Sequence, residues 1–67
     1  MTITCNGEPL HTKARTVGDL LGERLGRTSP DGVAVAIDGE VVPRSVWSAP
    51  LLAEGAVVDI VTAVQGG

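Results

Sequence analysis

Aromatic side chains are almost missing from this 67-residue chain, which has no Phe, no Tyr and one Trp, Trp47. Stacking platforms for single-stranded nucleic acid are therefore excluded. Basic residues are scarce as well: five Lys and Arg stand against eight Asp and Glu, for a net charge of −3. Phosphate binding needs the opposite balance, so no nucleic-acid partner is expected and partners with basic surfaces are. One Cys, Cys5, cannot close an intrachain disulfide, and with one His, His11, it cannot furnish a structural zinc site. No secretory leader is expected, and no long apolar run is present. Residues 56–64 are apolar-rich but too few to cross a bilayer as a helix, and Asp59 interrupts them. The expectation is a reducing cytoplasm and no membrane partner.

Catalytic constellations are missing too. There is no Walker loop and no dinucleotide fingerprint. Ser45, His11 and Asp38 make a triad on paper, but a triad is recognised by geometry and the spacing gives no support. His11 is expected on the exposed face of a strand, Cys5 as an unreactive core residue, and Trp47 as an anchor for a long connection.

What the chain does have is aliphatic bulk, with an apolar share of 43%. A domain this short buries only about 60% of the surface its unfolded chain exposes. Residues 1–67 therefore read as one domain with a thin two-layer core and no enclosed cavity for a large substrate.

Met1, Ile3 and Cys5 alternate with Thr2 and Thr4, the period of a half-buried strand. Asn6-Gly7 signals a hairpin, and Leu10, Thr12 and Ala14 continue the return strand, with His11 and Lys13 on its other face. Thr16 is a helix N-cap with Asp19 in the first turn. Val17, Leu20, Leu21 and Leu25 make the apolar stripe, and Gly26 is the stop. Gly18 and Gly22 each weaken that helix, which reads as one held by packing or one with a backbone closely approached. Val33, Val35 and Ile37 form the next strand, Asp38-Gly39 the next hairpin turn, and Glu40 to Val42 return from it before Pro43. Residues 44–52 connect to a last strand, Val57 to Val64. The order predicts an α+β fold: a mixed sheet of four or five strands wrapping one helix, a β-grasp, with the first and last strands adjacent in its centre.

Gln65-Gly66-Gly67 follow that last strand directly. With the strand anchored in the sheet, residues 64–67 are expected to form a short flexible tail. Extended, Val64 to Gly67 reach about 13–14 Å, enough to enter another enzyme's site. Glycine has no Cβ, which permits a narrow channel and leaves the acyl carbon of Gly67 open to a nucleophile. A carboxylate is a poor electrophile until ATP converts it to an acyl-adenylate, and ATP would have to be bound by that other enzyme.

The run Ala36-Ile37-Asp38-Gly39-Glu40-Val41-Val42-Pro43-Arg44-Ser45-Val46-Trp47 resembles the strand, turn, strand and Val-Pro-Arg-x-x-Trp pattern of the ThiS family, the ubiquitin-like sulfur carriers of thiamine biosynthesis. The Gly55 turn, the final apolar strand, the Gly66-Gly67 end and the helix start at Thr16, Val17 and Leu20-Leu21 match too. The resemblance implies a carrier and not an enzyme. Gly67 would be adenylated by a ubiquitin-activating-type adenylyltransferase (ThiF-like) that uses ATP and magnesium. Sulfur from a persulfide donor such as a cysteine desulfurase would then make a thiocarboxylate on Gly67, and thiazole synthase (ThiG-like) would take it. Gly66, Gln65 and Val64 would support entry into the partner sites. No metal or cofactor is expected on this chain, which should be a monomer alone. The sequence departs from the family at Ala56, where an acidic residue is frequent, and at Asp59 within the apolar strand. Both departures bear on the docking surface, which is sought among exposed apolar residues of the last strand.

A molybdopterin-type sulfur carrier would share the tail but deliver elsewhere; the short length and the Val-Pro-Arg-x-x-Trp run favour thiamine. A ubiquitin-like protein modifier would join Gly67 to lysines of other proteins, and Lys13 is the only lysine here for self-chains. A pure binding module would not require the diglycine end.

Overall fold

A computed structural model describes residues 1–28 and 30–62. Strand β1 (Thr2–Cys5) returns through Asn6-Gly7 as β2 (Glu8–His11), helix α1 (Val17–Leu25) crosses behind, β3 (Val33–Ile37) returns through Asp38-Gly39 as β4 (Glu40–Val41), and β5 (Val57–Thr62) closes the order. Both hairpin turns need two residues in the left-handed region. Asn6 and Gly7 lie at φ 51° and 82°, Asp38 and Gly39 at φ 51° and 85°. Asn, Asp and Gly tolerate these angles, which is why those pairs turn the chain.

The sheet order is β2-β1-β5-β3-β4, with β5 parallel to β1 and antiparallel to β3. The first and last strands are thus adjacent and central, as expected. This five-stranded mixed sheet wrapped on one helix is the β-grasp arrangement.

Helix α1 begins where Thr16 Oγ1 accepts from the Asp19 amide at 2.9 Å, and ends at Gly26. Val17, Leu20 and Leu21 are fully buried against Ile3, Val35, Val58, Trp47 and Leu52 in one aliphatic core. Leu25 departs from the expected stripe: it is 42% exposed, because the core reaches no farther along the helix than Leu21. Gly18 is the closely approached backbone. Its amide donates to the Trp47 carbonyl at 3.0 Å.

Two strand ends also differ from expectation. β2 stops at His11. The Thr12 amide still donates to the Met1 carbonyl, but the Thr12 side chain turns inward, its hydroxyl donating to Glu23 Oε1 at 2.7 Å and accepting from the Ala14 amide at 3.0 Å. Such a local side-chain bond competes with the ladder and ends it, leaving Ala14 in the core outside any strand. β4 stops at Val41, since Pro43 cannot extend the ladder, although the Val42 amide still reaches the Val35 carbonyl at 2.8 Å. β5 runs to Thr62, and residues 63–64 of the expected strand lie outside the described residues.

The connection after β4 opens with a single 3-10 turn at Arg44–Val46 and is anchored by Trp47. The indole is buried and donates from Nε1 to the Val42 carbonyl at 3.0 Å. Arg44 lies over its ring, 4.8 Å from the centroid, and donates to the Pro30 carbonyl. Trp47 is therefore the core anchor it was expected to be. Glu54 then brings the chain back to the sheet, its carboxylate accepting from the Thr2 amide while the Gly55 amide donates to the Thr2 carbonyl.

Candidate functional site

The residues expected to carry the chemistry, Val64, Gln65, Gly66 and Gly67, lie outside the described residues. What the structure does describe is the strand that leads to them and the surface around it. β5 occupies the middle of the sheet, paired with β1 at Val57 and Val58 on one side and with β3 from Val58 to Thr62 on the other.

Strand alternation divides β5 cleanly. Val58 and Ile60 point into the core, while Val57, Asp59 and Val61 point away from the helix. Register then places Ala36 beside Asp59 and Ala34 beside Val61 on β3, Val41 beside Ala36 on β4, and Thr4 beside Val57 on β1. Between such small neighbours the valines stand proud: Val41 is 76% exposed, Val61 62% and Val57 44%. Asp59 sits among them and forms no ion pair among the described residues. An apolar face carrying one unpaired carboxylate suits a partner surface that is apolar and carries a cation.

The expected docking residues of the last strand are thus exposed together. Val41 is an addition that the sequence reading missed; the inward parity of Val42 on the same strand is the signal that could have found it. Of the two departures from the family pattern, Asp59 belongs to this face. Ala56 does not: it is buried in the core and leaves the surface unchanged.

A second apolar feature, which shares Val41 with the first, is an open groove of about 450 Å³ lined by Ile37, Val41, Val42, Pro43, Val46 and Leu51 together with Asp38 and Glu40. No nucleophile with a neighbouring base converges there. The paper triad is dismantled by topology. His11 lies on β2 and Asp38 at the β3–β4 turn, at opposite edges of the sheet. His11 is exposed beside Thr2 Oγ1 at 3.3 Å, and Asp38 Oδ1 accepts from the Val57 amide at 3.0 Å. Cys5 is buried on β1, as expected of a core thiol. Among the described residues no three His, Cys, Asp or Glu side chains gather as metal ligands would, and no helix is long and apolar enough to cross a membrane.

The strand order, the single helix behind the sheet and the central parallel pair of first and last strands define a ubiquitin-like β-grasp domain. Within that class the chain belongs to the ThiS family, whose model matches residues 2–67. It is similar to the crystal structure of a thiamine biosynthesis protein, ThiS, from Geobacter metallireducens, at 30% identity and a TM-score of 0.76 over 100% of both chains. An NMR solution structure of a thiamine biosynthesis protein from Geobacter metallireducens is similar at 28% identity and a TM-score of 0.75, covering 100% of this chain and 88% of that one. No curated protein matches. Family membership places the chain with the small sulfur carriers of thiamine biosynthesis.

Proposed function

We propose that this chain carries sulfur for thiazole formation as a thiocarboxylate on Gly67, working in the cytoplasm as a co-substrate of larger enzymes and not as a catalyst itself. The observation that supports this most is the extent of the family match, which runs through residue 67 and so takes in both the central strand β5 and the Gly66-Gly67 end.

In this reading a ubiquitin-activating-type adenylyltransferase binds ATP and magnesium. A Gly67 carboxylate oxygen attacks the α-phosphorus, pyrophosphate leaves, and the carboxylate becomes an acyl-adenylate. The terminal sulfur of a cysteine persulfide on the donor then attacks the acyl carbon and expels AMP. Cleavage of the resulting acyl disulfide by a thiol, which is itself oxidised to a disulfide, leaves the thiocarboxylate for thiazole synthase. This chain contributes three things. The Gly66-Gly67 end gives clearance at the acyl carbon, Val64 and Gln65 supply reach, and the face of Val41, Val57, Val61 and Asp59 supplies docking. Each step of group transfer belongs to a partner.

The test is chain-dependent exchange of pyrophosphate into ATP by a ubiquitin-activating-type enzyme. Exchange should require this protein and vanish when Gly67 is removed, with the melting temperature unchanged. Exchange that persists without Gly67 would refute adenylation at that carboxylate.

A further inference from the structure

Parallel strands bond in steps of two residues. Along β1 and β5 the Thr4 amide donates to the Ala56 carbonyl and the Asn6 amide to the Val58 carbonyl, both at 2.9 Å. One more step would send the Ile60 amide to the Asn6 main-chain carbonyl, and the amide of Glu8 to the Ile60 carbonyl. Neither bond forms. Asn6, at φ 51°, has already turned the chain into the hairpin, and Glu8 pairs back on Cys5. β5 nonetheless runs on to Thr62, and its residues from Ile60 onward pair with β3 alone.

The Asn6 carboxamide fills the gap. Its Oδ1 accepts from the Ile60 amide at 2.7 Å, and its Nδ2 donates to the Ile60 carbonyl at 3.2 Å. One side chain thus supplies the acceptor and the donor that two main-chain groups of β1 would have given. Both functions are needed in one short side chain. Asp would keep the acceptor but set a carboxylate oxygen against the Ile60 carbonyl, whereas Gly would keep the turn and lose both bonds.

We propose that Asn6 is a positioning residue for the carrier function. Its carboxamide clamps Ile60 from the β1 side, so that the sheet's central strand is held on both edges as far as Ile60, two residues before its described end at Thr62. This role rests on the carrier reading above. A strand end held in advance loses less freedom when the residues that follow it enter a partner's site, so the clamp acts on the Michaelis constant of the adenylation step more than on its turnover.

The experiment compares wild type with Asn6→Gly and Asn6→Asp, both of which tolerate the positive φ of the turn. Amide hydrogen exchange, read residue by residue by NMR, tests the clamp without any partner. Asn6→Gly should speed exchange at Ile60 about tenfold and leave Val35 and Val58 unchanged. Steady-state adenylation by the activating enzyme tests the positioning. The KM for Asn6→Gly should rise about 3- to 10-fold with kcat within about twofold of wild type, and Asn6→Asp should fall between. Unchanged exchange at Ile60 would overturn the clamp. Faster exchange with an unchanged KM would overturn the positioning role and leave the bond a structural cap. If wild type itself is never adenylated, the carrier reading fails and the positioning role with it, while the exchange data still decide whether the clamp exists.

Discussion

The Gly18 amide donates to the Trp47 carbonyl at 3.0 Å, so the first turn of α1 and the long connection meet backbone to backbone. A Cβ on Gly18 would lie 3.3 Å from the Thr28 carbonyl oxygen and 3.5 Å from that of Trp47. Neither oxygen can swing aside as a side chain would. At Gly22, by contrast, an added Cβ would meet only the Thr28 Cγ2 methyl at 3.4 Å.

The two glycines of the helix should therefore respond oppositely to alanine. Gly22→Ala should gain most of the helix propensity difference, about 0.5–1 kcal/mol. Gly18→Ala should lose that gain to crowding and end about 1 kcal/mol below wild type. Thermal melting separates them, since about 1 kcal/mol moves the midpoint of a domain this size by roughly 4–8 °C. Equal stabilisation by both would mean that the close approach at Gly18 has no energetic consequence.

Trp47→Phe keeps most of the ring and removes the Nε1 donor, leaving the buried Val42 carbonyl without its partner. The expected loss is about 1–3 kcal/mol. Trp47→Ala, which also opens a cavity, should cost about 3–5 kcal/mol. Urea denaturation measures both, and a Phe variant as stable as wild type would assign the anchoring to packing alone.

Val61→Asp and Val41→Asp place charge on the exposed sheet face without touching the core. Each should weaken binding to the activating enzyme by about tenfold or more, consistent with truncating a central interface residue. Melting temperatures should stay near wild type. Isothermal titration calorimetry reads the affinity, and wild-type binding by both variants would move the docking surface elsewhere.

Cys5→Ser separates the two sulfur chemistries available to the chain. Cys5 is buried on β1, so the hydroxyl should cost about 1–2 kcal/mol of stability. Sulfur loading, assayed by thiocarboxylate mass at a temperature where the variant is folded, should be unaffected. Loss of loading in the folded variant would bring the thiol into the mechanism.

Much of this architecture is legible before folding because local chemistry has few solutions at certain residues. Asn6-Gly7 and Asp38-Gly39 mark tight turns through their tolerance of positive φ, and Thr16 and Gly26 bracket the helix through capping. Alternation in β5 likewise foretells that Val57 and Val61 face outward. Less legible is whatever depends on a distant partner. Leu25 fits the helical period, yet nothing in the period says that the core stops at Leu21. Thr12 reads as a strand residue until Glu23 is brought beside it. Asn6 reads only as half of a turn, because its bonds to Ile60 span most of the chain. Ala56 looks like a surface departure from a family pattern but is in fact a core position.

The most direct measurement is intact mass of the protein after incubation with ATP, magnesium, a cysteine desulfurase with cysteine, and its activating enzyme. The expected product is the chain with one terminal oxygen replaced by sulfur, confined to Gly67 by fragmentation and absent from a variant lacking that residue. An unchanged mass despite demonstrated binding to the activating enzyme, or an adduct joining Gly67 to another protein's lysine, would contradict sulfur carriage at this carboxylate.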